Sequence, residues 1–167
     1  DTAEVTLTVA GVNDVPVLAA GTLAAAEDGG AVDLDLVPLG DDVDADDSGA
    51  TLAYTISGAP TEGTASVEGG TLTFDPGTGF QDLAEEESRA VVVEITAMDG
   101  HGAAAANNVT VTVTGVNDGP VVAAGAASAA EDGAEVVVDL AAFADDPDSD
   151  DDGASLAYVL TQGPVQG

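Results

Sequence analysis

Hydrophobic and polar residues alternate along much of the chain with the two-residue period of a β-strand that has one buried face. In the clearest case, Val109, Val111 and Val113 alternate with threonines. Similar runs rich in Val, Ile, Leu and Thr, separated by Gly, Asp, Asn and Pro clusters, predict eight strands. These predicted strands cover residues 4–10, 16–20, 31–36, 51–57, 65–67, 71–74, 89–98 and 108–114.

Most segments between these runs predict turns, but the segments 81–89 and 103–106 do not clearly do so. Gly69 and Gly70 predict a hairpin turn, because glycine adopts positive φ without steric cost. Residues 81–89 contain helix-forming residues, and we expect either a helical turn or a loop across the domain. The alanines at 103–106 are too few for a stable helix and leave their structure open. About seven short strands in a domain of this size predict an all-β, Ig-like β-sandwich.

An internal repeat sets the domain organisation. The sequence GVNDVPV at 11–17 returns as GVNDGPV at 115–121, an offset of 104 residues, and 29 of 53 positions are identical when 11–63 is laid over 115–167. A repeat of about 100 residues has the size of an autonomous domain. We therefore expect the last strand of a preceding repeat at 1–10, a complete β-sandwich repeat at 11–114, and the first half of the next repeat at 115–167.

The charge of the chain narrows its possible partners. The 167 residues carry 32 carboxylates against a single arginine, Arg89, and no lysine, which gives a net charge of −31. This sign excludes nucleic acid as a partner. Because 45% of the residues are apolar, the chain is not expected to be disordered. Either divalent cations neutralise the carboxylates, or the acidity is an adaptation to high salt.

The absence of cysteine and of long apolar runs argues against disulfide bonds and membrane spans. The chain has no cysteine, so no disulfide braces the domains, and five aromatic residues leave each core thin. No apolar run approaches the roughly 18 residues that a membrane span requires, so we expect no membrane insertion in this segment.

Two acidic runs, at 41–47 and 145–153, are candidate cation sites. Alternating aspartates in a loop can direct several oxygens toward a hard cation. Asp148-x-Asp150-x-Asp152-Gly153 matches the start of an EF-hand loop, but the twelfth position is Val159 where a glutamate is required. The runs are therefore not EF-hands, and a solvated acidic loop is the alternative.

The order of motifs along the whole chain resembles a known family. VTVTGVNDGP at 111–120 is accompanied by EDG, by the DDxDxDD loop, by LAY and by GGTLTFDPGTGF at 69–80. This series resembles the VCBS and cadherin-like repeats of giant RTX-type bacterial adhesins. The resemblance implies tandem Ig/cadherin-like β-sandwiches that hold calcium at the linkers between successive repeats.

The resemblance also implies a set of calcium ligands at each junction. At the second junction, Asn117 and Asp118 resemble the linker ligands, Glu27 the glutamate of the upstream repeat, and Asp148 and Asp150 the Asp-x-Asp of the downstream repeat. The corresponding residues at the first junction, followed by the remaining candidates of the second repeat, are Asn13, Asp14, Asp44, Asp46, Asp99, Glu131 and Asp146. The chain departs from the cadherin pattern at two points. The leading linker aspartate is Gly11 or Gly115 here, and the Asp-Arg-Glu motif is at best Leu83-Ala84-Glu85, which leaves the glutamate open among Glu85, Glu86 and Glu87.

Catalysis is not expected. The single histidine, His101, lies in a Gly-flanked turn where a solvent-facing side chain is expected. No catalytic triad can be assembled around it, and the chain lacks cysteine and lysine nucleophiles. Paired carboxylates resemble a glycosidase site, but no tryptophan platform accompanies them.

The sequence therefore predicts a calcium-stabilised structural and adhesive spacer, extracellular or on a bacterial cell surface. Its expected partners are neighbouring repeats of the same chain and identical chains in a fibre. Two alternatives stay open at this point. One is a calcium-dependent module that binds carbohydrate or protein, and the other is a halophilic surface-layer or filament subunit whose acidity serves salt tolerance.

Overall fold

The computed structural model describes residues 1–163, so the last four residues of the predicted partial repeat lie outside the described part. Eleven β-strands and two single-turn 3-10 helices occur there. The strands are β1 Val17–Leu18, β2 Gly21–Ala26, β3 Val32–Asp35, β4 Gly40–Asp41, β5 Ala53–Gly58, β6 Thr64–Glu68, β7 Thr71–Asp75, β8 Ser88–Met98, β9 Ala104–Thr114, β10 Val121–Val122 and β11 Ala144–Asp145. The 3-10 helices are Val37–Leu39 and Ala141–Phe143. No helix of residues 1–163 is both long and apolar enough to cross a membrane.

Residues 17–114 form a two-layer β-sandwich, which confirms the predicted fold class. One sheet has the strand order β2-β9-β8-β5 and the other the order β3-β7-β6. All pairs within the two sheets are antiparallel except β2 and β9, which run parallel. The parallel pair brings the ends of β2 and β9 to the same edge of the sandwich.

The core lies between the two sheets and is built from alternate residues of each strand. Leu72 and Phe74 of β7 are fully buried, and Phe74 packs edge-to-face on Phe80 at a ring-centroid distance of 6.4 Å. Val91, Val93 and Ile95 of β8, with Val109, Val111 and Val113 of β9, complete the opposite wall. The predicted alternation of buried valine and outward threonine in β9 is confirmed.

Several strand bounds differ from the prediction because neighbouring strands decide them. Residues 1–10 form no strand within the described part, and Val5 is 90% exposed, so the assignment of 1–10 to a preceding repeat stays a prediction. The predicted strand 16–20 shortens to β1, which pairs with β4. The longer strand β2 follows it at 21–26, outside the predicted strands, where β9 supplies a partner. The alanines 103–106 join β9, while 81–87 form turns without a helix. The hairpin at Gly69 (φ 56°) and Gly70 (φ 85°) is confirmed.

The second repeat follows the first over its opening residues. Val121 pairs with Asp145 as Val17 pairs with Asp41, so the 104-residue offset is kept in the hydrogen bonding. Tyr54 is 9% exposed in the core of the sandwich, whereas the equivalent Tyr158 of the second repeat is 40% exposed. The reason is that no second sheet covers Tyr158 within residues 115–163.

Candidate metal centre

The junction between the repeats begins where β2 and β9 end side by side. Ala26 pairs with Thr114 in the parallel register, and the backbone N–H of Glu27 donates to the carbonyl of Thr114 at 3.0 Å. The residue after β2 is therefore adjacent to the linker that starts at Gly115. This pairing places Glu27 against the next repeat although 88 or more residues separate them in sequence.

Glu27 is buried at this junction with half of its carboxylate unsatisfied. The residue is 1% exposed, and its Oε1 accepts a hydrogen bond of 2.6 Å from the backbone N–H of Val116. Its Oε2 is buried and has no hydrogen-bond partner. A buried, unpartnered carboxylate oxygen is costly, because it has lost water without gaining another donor.

Two aspartates of the second repeat also have a buried carboxylate oxygen without a hydrogen-bond partner. The N–H of Asp118 donates to Oδ2 of Asp148 at 3.0 Å, and the N–H of Asp148 donates to Oδ1 of Asp146 at 3.2 Å. Asp148 is 3% exposed. Oδ1 of Asp148 and Oδ2 of Asp118 are nevertheless buried without a partner.

The three carboxylates converge. One oxygen from each of Glu27, Asp118 and Asp148 lies within 4.8 Å of the other two. The only Lys or Arg of the chain, Arg89, is bound to Asp82 and Glu62, at 2.7 and 3.1 Å. No positive side chain is therefore left to neutralise the cluster, and a bound divalent cation is the partner that these oxygens fit.

The electrostatics of the cluster oppose ionisation. Burial raises the pKa of the Glu27 carboxyl, the hydrogen bond from Val116 lowers it, and the neighbouring charges of Asp118, Asp28 and Asp148 raise it further. Burial also raises the pKa of Asp118, followed by the charges of Asp28, Asp148 and Asp146. Both directions mean that the ionised forms are disfavoured in the metal-free cluster, and a bound cation would favour them.

The first junction repeats the hydrogen bonds of the linker. The N–H of Asp14 donates to Oδ2 of Asp44 at 2.8 Å, as Asp118 does to Asp148, and the Asn13 amide donates to the carbonyl of Asp14 as Asn117 does to that of Asp118. The Asn13 amide also donates to Oδ2 of Asp99 at 2.9 Å. This bond is the leading cause of a lowered pKa of Asp99.

The other predicted ligands are not brought to the cluster at Glu27. Asp46 lies near Asp47 and the half-exposed His101, whose Nδ1 is 4.0 Å from Oδ2 of Asp47. Asp150 and Glu131 are exposed. Asp146 orients Asp148 through a hydrogen bond.

The sequence does not distinguish among Glu85, Glu86 and Glu87, and in the structure Glu87 contacts the second repeat. Oε2 of Glu87 accepts hydrogen bonds from the hydroxyl of Ser149 at 2.9 Å and from the N–H of Ala84 at 3.2 Å. The N–H of Ser149 donates to the carbonyl of Asp82 at 3.1 Å. The turns at 81–87 therefore hold the acidic loop of the second repeat beside the cluster, and no residue pattern indicated this contact.

Fold and site define a β-sandwich protein with a buried carboxylate cluster where the sandwich meets the linker to the next sequence repeat. Residues 13–112 match a family described as a bacterial Ig domain. This match covers more than half of the chain, which therefore belongs to the bacterial Ig domain family. The resemblance to bacterial Ig-like repeats is confirmed at that level, and the narrower resemblance to the VCBS repeats of giant adhesins stays a prediction.

Two solved structures are similar to the chain. Protocadherin gamma B7 extracellular cadherin domains 1–4 share 16% identity over 80% of this chain and 33% of that one, with a TM-score of 0.49. The protocadherin gammaB7 EC3-6 cis-dimer structure shares 15% identity over 66% of this chain and 26% of that one, with a TM-score of 0.44. The chain thus spans about a third and about a quarter of their lengths. A comparison with curated proteins found no match.

Proposed function

We propose that this chain is a structural spacer of an extracellular bacterial protein, in which calcium bound at the repeat junction stiffens the array. The observation that carries the proposal is the convergence of Glu27, Asp118 and Asp148, two of them almost fully buried and all three with an unpartnered oxygen. Glu27 comes from one repeat and the two aspartates from the next. A cation held by all three would tie the repeats together.

The chemistry of the donors favours calcium. All three side chains offer hard carboxylate oxygens, and the cluster includes neither histidine nor cysteine. Calcium accepts six to eight oxygens in flexible geometry, whereas magnesium requires a near-ideal octahedron and zinc prefers nitrogen or sulfur donors. Backbone carbonyls and water would complete the coordination.

The contacts around the cluster support a mechanical role. Ser149 is held by Glu87 and by the carbonyl of Asp82, and Val116 is held by Glu27. These hydrogen bonds fix the linker and the acidic loop of the second repeat on the first repeat. Without a cation, the three carboxylates repel one another across the same interface. Binding of calcium would convert this repulsion into attraction and limit the motion between repeats.

The proposal is tested by calorimetry of the metal-free chain during a calcium titration. Ligand at 100 times its dissociation constant stabilises a fold by about 2.7 kcal/mol, so we expect the melting temperature to rise by roughly 10 °C or more. Equal ionic strength supplied as sodium chloride is expected to give a much smaller rise. If sodium chloride gives the same rise as calcium, salt tolerance rather than calcium binding explains the acidity.

A matched pair of variants localises the effect. In Glu27→Gln the amide oxygen still accepts the hydrogen bond from Val116 while the charge is lost, so we expect the calcium-induced rise to fall by more than half. Glu131→Gln makes the same change at the exposed position 104 residues later and is expected to leave the rise intact. An undiminished rise in Glu27→Gln would place the calcium elsewhere.

A further inference from the structure

One face of the β-sandwich is almost free of charge. The outward positions of the β2-β9-β8-β5 sheet are 22, 24 and 26, the even-numbered residues of 88–98 and 104–114, and 53, 55 and 58. Of these eighteen residues, six are alanine and six are threonine, and the others are Gly58, Ser88, Val92, Glu94, Met98 and Asn108. Glu94 is thus the single charged residue of this neutral face.

The outer face of the opposite sheet has a different composition. Its outward positions are 33 and 35 of β3, 71, 73 and 75 of β7, and 64, 66 and 68 of β6. Four of these eight residues are acidic, namely Asp33, Asp35, Glu68 and Asp75. The two faces have the same secondary structure, so strand propensity alone does not explain why the carboxylates are confined to one of them.

The neutral face also has a shape suited to another sheet. Its registered rows combine small residues across three strands, as in Ala24, Thr112 and Ala90, which gives a low and even surface. Val92 and Met98 on this face are 46% and 43% exposed. Small side chains allow two sheets to pack face to face at about 10 Å.

Charge identifies the occupant that this face can accept. A second copy of the chain also carries a net charge of −31, so most mutual orientations bring carboxylates together. Apposition of two neutral faces is the arrangement that keeps the acidic faces farthest apart. A carbohydrate would require aromatic side chains or hydrogen-bonding pockets, and no aromatic residue lies among the outward positions of this sheet.

The size of the face indicates a weak contact. Strands of eleven residues in β8 and β9 and of six in β2 and β5 span about 500–600 Å² of sheet, at rises of about 3.3 Å and strand spacings of about 4.8 Å. Two copies would bury roughly 1,000 Å² together, at the lower limit of specific interfaces. Tandem repeats would multiply such contacts along paired chains.

We propose that the neutral face is a lateral interface that packs against the same face of a second copy of this chain. Every residue of the face lies outside the carboxylate cluster at the junction, so the contact does not depend on bound calcium. Parallel alignment of two arrays through this face would leave the acidic faces toward solvent. Spacer chains would then associate side by side through this face, in addition to being stiffened along their length by calcium at the junctions.

Sedimentation equilibrium of the whole chain tests the proposal, in about 0.15 M salt so that general repulsion is screened. We expect a dimer with a dissociation constant on the order of 10⁻⁴ M, in calcium and in chelator alike. Thr112→Glu adds a carboxylate to the middle of the face and is expected to weaken the dimer at least tenfold. Ser66→Glu adds the same charge to the exposed acidic face and is expected to change the constant less than twofold.

Three further variants distinguish a specific interface from misfolding and from non-specific association. Glu94→Gln removes the one charge of the face and is expected to strengthen the dimer several-fold, an effect that misfolding does not produce. Because the chain has no cysteine, Thr112→Cys treated with a short bismaleimide is expected to give a covalent dimer, and Ser66→Cys is expected to stay monomeric. A chain that stays monomeric at millimolar concentration overturns the proposal. So does equal weakening by Thr112→Glu and Ser66→Glu.

Discussion

A single buried glutamate shows how position in the fold assigns different environments to equivalent residues. Glu27 and Glu131 occur in the same Glu-Asp-Gly motif, yet Glu27 is 1% exposed and Glu131 is exposed. Glu27 follows a strand that pairs with β9, and this pairing delivers it to the linker. Glu131 has no such strand before it in the described residues. The Glu-Asp-Gly motif therefore fixes which residue is present, and the strand that precedes it decides whether that glutamate is buried at the junction.

The raised pKa of Glu27 predicts the pH dependence of the metal-free chain. Between its ordinary and its raised value, the folded chain binds more protons than the unfolded chain, so the free energy of unfolding increases as pH falls through the raised pKa. Thermal unfolding in chelator is expected to give a higher melting temperature near about pH 5 than near about pH 7.5. Below that range stability declines, because Asp82 and Asp99, whose pKa values are lowered, become protonated.

Repulsion among the other carboxylates also makes the metal-free chain more stable as pH falls. A variant separates this contribution from that of Glu27. Glu27→Gln keeps nearly all of the net charge but cannot bind the extra proton, so its gain on acidification is expected to be smaller than that of the wild type. An identical gain in both would assign the pH dependence to the overall charge. In calcium the slope is expected to reverse, since protons compete with the cation for the same oxygens.

At the scale of elements, the junction depends on a close approach of the linker to the turns at 81–87. The N–H of Gly115 donates to the carbonyl of Glu87 at 2.8 Å. A Cβ at Gly115 would lie 2.6 Å from the carbonyl oxygen of Leu83 and 2.8 Å from its Cβ. Glycine at position 115 therefore has a steric cause.

The two equivalent glycines provide a test of this close approach. Gly115→Ala is expected to destabilise the junction by about 1–3 kcal/mol, because backbone rather than a flexible side chain must move. Gly11→Ala adds the same methyl group where no atom lies within 4 Å, and is expected to change stability by less than about 0.5 kcal/mol. Urea unfolding of both variants checks the difference. Equal stability of the two would mean that the turns adjust without cost.

The elements themselves were predictable to the extent that local chemistry decides them. Local pattern predicts strands at 71–74 and 89–98, within one residue of β7 and β8, and paired glycines predict the hairpin before β7. The strand β2 has a run of alanines with no alternation and was missed, because its partner β9 provides its hydrogen bonds. The local sequence does not specify the turns at 81–87 for the same reason, since hydrogen bonds from Gly115 of the linker and Ser149 of the second repeat hold them.

For the whole molecule, the main consequence of the proposed site is stiffness. Small-angle scattering of the chain in calcium is expected to show a narrow range of extensions, and chelation is expected to raise the radius of gyration and flatten the Kratky plot. The physical reason is repulsion among Glu27, Asp118 and Asp148 once no cation screens them. Glu27→Gln serves as the control and is expected to respond little to calcium. Superimposable curves for the wild type with and without calcium would contradict a stiffening role.

The sequence by itself determined the repeat length, the all-β class and the acidic residues from which the converging carboxylates come, because period, turn chemistry and composition are local properties. Only the tertiary structure decided which carboxylates meet and which face is left neutral. Glu27 reaches Asp118 and Asp148 through a parallel strand pair, and the charge-free face exists only when four distant strands align in register. Both depend on pairing between segments far apart in the chain, which no local pattern encodes.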